Sequence, residues 1–397
     1  MNTAILEHHY DRTFFSHQSQ AEDIAAYIRA GFTPESEARI GLEIETICLH
    51  DSNRRADYEA MRDVLQRLAE LMQFRLCTSK QRPVSLSGPS GSVTLEPGCQ
   101  LEWASPAVGD LDQLMEHYQQ WLAARDRALA SQQLHPTNYS VDAEYDCDQA
   151  WPPSNRYEKM RKKFSERPNW NPMQRTAGIH VSLDYSSDAD WARKFRVMLS
   201  AIPSSQVLFA NSPGTLRGEF WQSMRPLSWL DLDPARTHLP NDAFRSGFTI
   251  DQYANWAASI ACMVHSNVSE SLREKSLQKL GDVFTMIRSK QVLEVRCNDR
   301  VPDAMVPVIA AFWTGLLYDP QSCEAAWQDS DWFNSRPVWY QSLEEACRSG
   351  ADVSPALMQR TQTLLSLSIA GLRRLGTCPQ PLIQRLESMQ RRVASSA

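Results

Sequence analysis

Glu43 and Glu45 stand two residues apart in Ile40-Gly41-Leu42-Glu43-Ile44-Glu45, and Glu294 and Arg296 repeat that spacing in Val292-Leu293-Glu294-Val295-Arg296. Side chains alternate faces along a strand, so each pair points one way while its apolar neighbours point the other. Residues 95–103 carry Glu96, Gln100 and Glu102, and residues 178–183 carry His180 between Ile179 and Val181. Read as strands of one sheet, the segments bring five carboxylates and a histidine to a single face, with Gln100 beside Glu102. Crowded carboxylates raise one another's pKa, and hard divalent cations such as Mg²⁺, which favour oxygen ligands, remove that cost. The pattern predicts a metal-dependent enzyme. Taken singly, each segment also reads as an ordinary half-solvated strand; the weight lies in the set.

The elements around these segments must place them. Helical periodicity runs through residues 21–30, 58–76 and 110–134, with the Glu43 strand between the first two. Residues 83–92, rich in Ser, Gly and Pro, read as a loop, and Pro97-Gly98 predicts a bulge or turn that re-aims Glu96 and Glu102. Residues 151–172 are polar, with Arg156, Lys159, Arg161, Lys162 and Lys163, and read either as a solvated loop or helix or as a lid over a substrate phosphate. Residues 188–203 are helical, 214–240 are irregular and dense in Trp, Arg and Asp, and the chain from Pro302 onward is almost wholly helical. Residues 354–375 and 381–393 carry that helical pattern to the end of the chain. This order predicts an α+β fold: an antiparallel or mixed sheet assembled from distant segments, with a helical C-terminal region.

The 397-residue chain is 42% hydrophobic, enough for a large core, and its net charge of −6 gives no support for general nucleic-acid binding. Nine scattered cysteines without a Cys-x-x-Cys pair predict reduced thiols. The first residues lack a basic stretch followed by an apolar one, and the most apolar run, residues 305–318, is too short to span a bilayer. A cytoplasmic protein without membrane or nucleic-acid partners is expected.

Gly41-Leu42-Glu43-Ile44-Glu45 and Leu95-Glu96-Pro97-Gly98 with Gln100-Leu101-Glu102 resemble the acidic strands of glutamate–cysteine ligases of the plant and bacterial type. The similarity continues through Arg156-Tyr157, Arg193-Lys194-Phe195-Arg196, Ala210-Asn211-Ser212-Pro213 and Ser223-Met224-Arg225. Trp229 to Thr237, Leu293-Glu294-Val295-Arg296 and Phe312 to Asp319 complete it, in consistent order over residues 40–320. The resemblance implies a glutamine synthetase-like fold, with a catalytic core over residues 1–320 and a helical region, 321–397, packed on it. It implies a carboxylate–amine ligase that phosphorylates the side-chain carboxylate of glutamate with ATP, after which an amine, usually that of cysteine, displaces phosphate. It further implies that Glu43, Glu45, Glu96, Glu102, His180 and Glu294 hold Mg²⁺, and that Arg296 with Glu294 carries the catalysis. Arg296, His180 and Arg156 would face ATP; Arg225, Arg236 and Trp229 would form the substrate side.

Some alternatives stay open at this level. Arg225 and Arg236 either recognise substrate carboxylate or phosphate, or pair with Asp231 or Asp233; His180 is a ligand or a structural strand residue. Cys99 and Cys297 read as packing residues, and Cys99 stands where the family usually has glycine. Residues 261–289 form a shorter segment than family members carry there, which leaves room for a specialised ligase using another amine or acid. A non-catalytic binding protein of the same fold is the third reading; keeping all five carboxylates together with Arg296 argues against it.

Overall fold

The computed structural model describes residues 4–142, 151–164, 172–263 and 272–395. In chain order the strands are β1 (Ile40–Thr46), β2 (Cys48–His50), β3 (Arg75–Ser79), β4 (Arg82–Gly88), β5 (Gly91–Leu95) and β6 (Leu101–Ala104). They continue as β7 (Leu134–Pro136), β8 (Gly178–Leu183), β9 (Gly214–Leu216), β10 (Glu219–Trp221), β11 (Ile287–Ser289) and β12 (Leu293–Asp299). Eight of them form one sheet in the order β11-β12-β8-β1-β6-β5-β4-β3, antiparallel throughout. The fold is α+β, as the alternation of patterns predicts.

Each central strand is apolar on one face only. Leu42, Ile44, Leu101, Trp103, Ile179, Val181, Leu293 and Val295 are buried in the main core. Against that face lie the helices Leu111–Ala130, Asp188–Phe209 and Val306–Leu317. Trp121 from the first stacks on Trp103 with centroids 5.7 Å apart, and every residue of Val306–Leu317 is buried. The helix Pro355–Leu375 packs on Val306–Leu317, with Gln380–Ser395 beyond it. Close approach there depends on glycine: a Cβ on Gly371 would lie 2.0 Å from the Gly315 carbonyl oxygen. The core is therefore continuous from the sheet into the C-terminal helices. Helix starts carry local support, with Asp57, Asp110, Ser187, Thr249 and Ser354 accepting from backbone N–H groups of the first turn.

Several expectations need correction. Residues 83–92 are two strands of the sheet, β4 and β5, because Val84, Leu86 and Val93 alternate with Ser and Thr and the turn at Gly88–Gly91 closes a hairpin. Residues 95–103 are not one strand: Glu96 N–H donates to the Gln100 carbonyl and Cys99 takes φ 60°, so the chain reverses between β5 and β6. Gln100 lies in that turn rather than beside Glu102 in a strand; its side chain accepts from Gly98 N–H and donates to the carbonyls of Met173 and Thr176. The 58–76 helix stops at Met72, capped by Gln73 in the left-handed conformation, before β3 begins. Residues 214–240 contain the β9–β10 pair and the helices Arg225–Leu232 and Pro234–Thr237. Within 151–172 the residues Asn155–Phe164 form a helix; Pro168, and Asn267, Ser269 and Ser271 of the 261–289 segment, lie outside the described residues. The described cysteines are all free, and no described helix is long and apolar enough to cross a membrane.

Candidate active site

The register of the central strands gathers the predicted residues. Glu43 lies opposite His180 across β1–β8, Glu45 opposite Glu102 across β1–β6, and Arg288 opposite Glu294 across β11–β12. All six share the face that the helical core leaves free. Ligand atoms of Glu43, Glu102 and His180 come within 4.8 Å of one another, and His180 Nδ1 lies 2.8 Å from Glu43 Oε2. Glu45 is buried beside them and accepts from Gly178 N–H at 2.6 Å.

Above this face opens a cavity of about 390 Å³. Glu43, Glu45, Glu96 and Glu102 line it on the side of β1, β5 and β6; Arg288, Lys290 and Arg296 line it on the side of β11 and β12, and Arg156 also borders it. Met160, Met173, Trp229 and Phe284 form an apolar wall between them.

The two ends differ in protonation. Burial, then the neighbouring charge of Glu45, pushes the Glu96 carboxyl up to about 7 against the pull of Arg156. Burial, then the charges of Glu96, Glu43 and Glu45, takes Glu102 well above the usual carboxylate range. Glu43 stays low: burial opposes its charge, but the His180 hydrogen bond and Arg296 outweigh it. Glu294 is also held well below the ordinary range, because Arg288, Lys290 and Arg296 overcome its burial. Burial and the charge of Arg296 lower His180, which favours the neutral imidazole a metal ligand requires. The acidic end thus carries more buried carboxylate than its own cations neutralise, and two carboxylates with a neutral imidazole suit a divalent cation. The carboxylates favour Mg²⁺; the imidazole, turned to Glu43, orients that carboxylate as well.

Residues 39–377 match the model of glutamate–cysteine ligase family 2. The chain belongs to that family. It is 28% identical to glutamate–cysteine ligase B, chloroplastic, of Oryza sativa subsp. japonica, over 89% of this chain and 78% of that protein. It is 27% identical to the chloroplastic glutamate–cysteine ligase of Arabidopsis thaliana, over 77% of this chain and 64% of that one. Among solved structures it is similar in fold to a glutamate–cysteine ligase from Francisella tularensis in complex with AMP, with TM-score 0.54 and 14% identity over 91% and 83% of the two chains. A bifunctional glutathione synthetase from Pasteurella multocida gives TM-score 0.53 and 12% identity over 96% of this chain, which spans 50% of that longer one.

Not every predicted residue reaches the cavity of this family member. Arg236 does not: its Nε donates to Asp233 at 3.0 Å and its Nη2 to the Ala261 carbonyl, in full burial. Of the two readings of Arg236, the structural ion pair is the one found. Arg225 takes neither Asp231, which pairs with Arg217, nor Asp233. Its Nη1 lies 3.2 Å from the carbonyls of both Arg296 and Asn298, and its side chain borders a small pocket of about 30 Å³ with His180, Glu45 and Arg296. Glu294 is clamped between Arg288 and Lys290, the latter at 3.0 Å, with Arg296 at 3.5 Å. Trp229 Nε1 donates to Thr176 Oγ1 at 3.0 Å, which fixes the indole in the wall.

Arg288, Lys290 and Tyr157 complete the site and were not singled out from the sequence as site residues. The spacing of Arg288 and Lys290, two apart and just ahead of the Glu294 strand, is the signal that would have found the two cations. Tyr157 donates to the Leu95 carbonyl at 3.0 Å and reaches Glu96 Oε1 at 3.5 Å.

Gly178 is where this construction has no slack. A Cβ there would lie 1.9 Å from Arg225 Nη2. Gly178→Ala is expected to cost about 1–3 kcal/mol of stability, the usual range for overpacking a rigid interior, read as a lowered melting temperature. Unchanged melting would show that the Arg225 guanidinium moves aside freely.

Proposed function

We propose that the protein is an ATP- and Mg²⁺-dependent ligase that phosphorylates the side-chain carboxylate of glutamate and joins it to the amine of cysteine, giving γ-glutamylcysteine. One observation carries the reading: a single sheet face divides into a carboxylate–histidine end and a guanidinium–ammonium end across one cavity. Phosphoryl transfer to a carboxylate brings two anions together, and the protein's part in it is positioning and charge neutralisation. Family membership supports the ligase class, and the names of the relatives supply the substrates proposed here.

In this reading Glu43, Glu102 and His180 hold Mg²⁺, with Glu45 and Glu96 beside them. The bound ion would neutralise charge between the nucleotide and the acceptor carboxylate. Arg288, Lys290 and Arg296 take the phosphates, and Glu294, between the three, keeps cations that would otherwise repel one another in one place. The Met160–Trp229–Phe284 wall excludes water from the acyl phosphate, which hydrolysis would otherwise consume. Neither Cys99 nor Cys297 serves as a covalent nucleophile, since both are buried and burial pushes both thiols up to about 12.

The test uses glutamate labelled with ¹⁸O in the side-chain carboxylate, with cysteine and a panel of other amines as acceptors. One labelled oxygen is expected in the released inorganic phosphate, and cysteine should be the best acceptor. Label found in AMP would replace the acyl phosphate with an adenylate. A strong preference for another amine would keep the chemistry and change the product; the short 261–289 segment, which lends Gly281 and Phe284 to the cavity, is where that difference would arise.

A further inference from the structure

A second cleft, about 440 Å³, opens beyond the basic end of the cavity. The two spaces share Arg156, Gly281 and Lys290, and Arg156 Nη2 donates to the Gly281 carbonyl at 2.6 Å in the partition between them. The far walls are Leu277 and Leu280, from the helix Leu272–Gly281, and Tyr27, from the helix Ala4–Arg29. Tyr27 precedes the residues matched by the family model, which begin at 39. This wall is therefore a contribution of the chain outside the part its family defines.

The N-terminal helix is docked closely to the strand turn that carries Lys290. Tyr185 Oη lies 2.7 Å from the Ile28 carbonyl and 2.6 Å from the Lys290 carbonyl, bridging the helix end and the turn. Gly31 sits directly on the next residue: a Cβ there would lie 2.1 Å from the Gln291 carbonyl oxygen. Arg29 secures the other side by ion pairs to Asp188 and Asp251 at 2.9 and 2.8 Å. Tyr27 is thus held at a fixed place beside Lys290.

Charge decides what such a cleft would receive. A polyphosphate chain is repelled by Glu45, Glu96 and Glu102 and attracted by Arg288, Lys290, Arg296 and Arg156. With its terminal phosphate near Arg296, the rest of the molecule leaves the cavity past Lys290 and Arg156. The walls met there are Tyr27, Leu277 and Leu280 with Gln278 and Asp282 beside them, an aromatic and aliphatic lining whose polar groups suit a nucleoside and whose carboxylate disfavours further phosphate. We propose that this cleft takes the nucleoside end of ATP and that Tyr27 forms the aromatic wall for its base. The proposal rests on the ligase reading above.

Two probes separate the parts: ADP, which carries a base, and inorganic triphosphate, which does not. Tyr27→Ala is expected to raise the dissociation constant for ADP about tenfold, in line with loss of one base–aromatic contact. Tyr27→Phe should keep wild-type affinity for ADP, and both variants should bind triphosphate as the wild type does. Lys290→Ala should weaken ADP and triphosphate alike. Wild-type ADP affinity in Tyr27→Ala overturns the cleft, as does an equal loss for ADP and triphosphate, which would mark general damage. Ligase product from ATP alongside unchanged ADP affinity in Tyr27→Ala overturns the cleft alone. Tyr27-dependent ADP binding in a wild type that makes no product overturns the ligase reading and keeps the cleft.

Discussion

Glu102→Gln is expected to lower ligase turnover by on the order of 10²-fold or more and, at the same time, to raise the melting temperature of the metal-free protein at neutral pH. Both effects have one cause. Glu102 faces Glu45 across β1–β6 and shares its surroundings with Glu43 and Glu96. Burial and those charges disfavour its ionised form, so the metal-free fold carries a strain that a neutral isostere removes. The same charge is what the metal would be bound by, so removing it removes activity.

The pH dependence follows from the sign of the shifts. A carboxyl whose pKa is raised on folding keeps its proton while the unfolded chain has released it, and stability falls as pH rises across that interval. For Glu96 the interval runs from 4.5 to about 7. Melting of the wild type in a chelator should therefore drop between those limits, Glu96→Gln and Glu102→Gln should each flatten the drop, and Mg²⁺ should restore the wild type at neutral pH. Melting curves in chelator and in Mg²⁺, with steady-state rates for each variant, check all of this. A Glu102→Gln protein that turns over normally would remove the metal assignment; one that melts lower than wild type in chelator would remove the account of strained carboxylates.

The carboxylate-bearing face was legible in the sequence because strand alternation is a local code. Leu42 and Ile44 against Glu43 and Glu45, or Leu293 and Val295 against Glu294 and Arg296, announce a sheet with one apolar and one functional face. The long helices were legible for the same reason, with the helix found at Pro355–Leu375 matching the pattern of 354–375 almost residue for residue. What pairs with what is a different question. The β4–β5 hairpin was hidden because its strands are half-exposed and rich in Ser and Gly, and the turn at Pro97-Gly98 proved a full reversal.

Asp233 was open to Arg236 as a partner from the sequence, but which arginine pairs and which reaches the cavity was not legible there. Arg225, Arg236 and Arg296 look equivalent in a motif, yet one anchors backbone carbonyls, one is spent on Asp233, and one lines the cavity. Burial and register make that distinction, and both depend on contacts between residues far apart in the chain.

Arg296→Lys is expected to slow turnover by on the order of 10²-fold with little change in KM for ATP. Arg296 lies where the two ends of the site meet: Nη1 is 3.5 Å from Glu294 Oε2, 3.9 Å from Glu43 Oε2 and 3.3 Å from His180 Nδ1. Its aim is set by an irregularity in the strand, since the β8–β12 register shifts between Val295 and Asn298, and Arg225 fastens the carbonyls on both sides of that shift. The backbone is thus fixed independently of the Arg296 side chain, and a substitution there reports on the guanidinium itself. Lysine preserves the charge and therefore most of the attraction for bound nucleotide, but it has no planar fork to follow charge as it moves from the phosphate bridge to the acceptor carboxylate. Single-turnover and steady-state rates for Arg296→Lys separate the two contributions. A normal kcat with a raised KM for ATP would mean that Arg296 holds the ground state, and the transition-state role would pass to Arg288 or Lys290, the other cations at that end of the cavity.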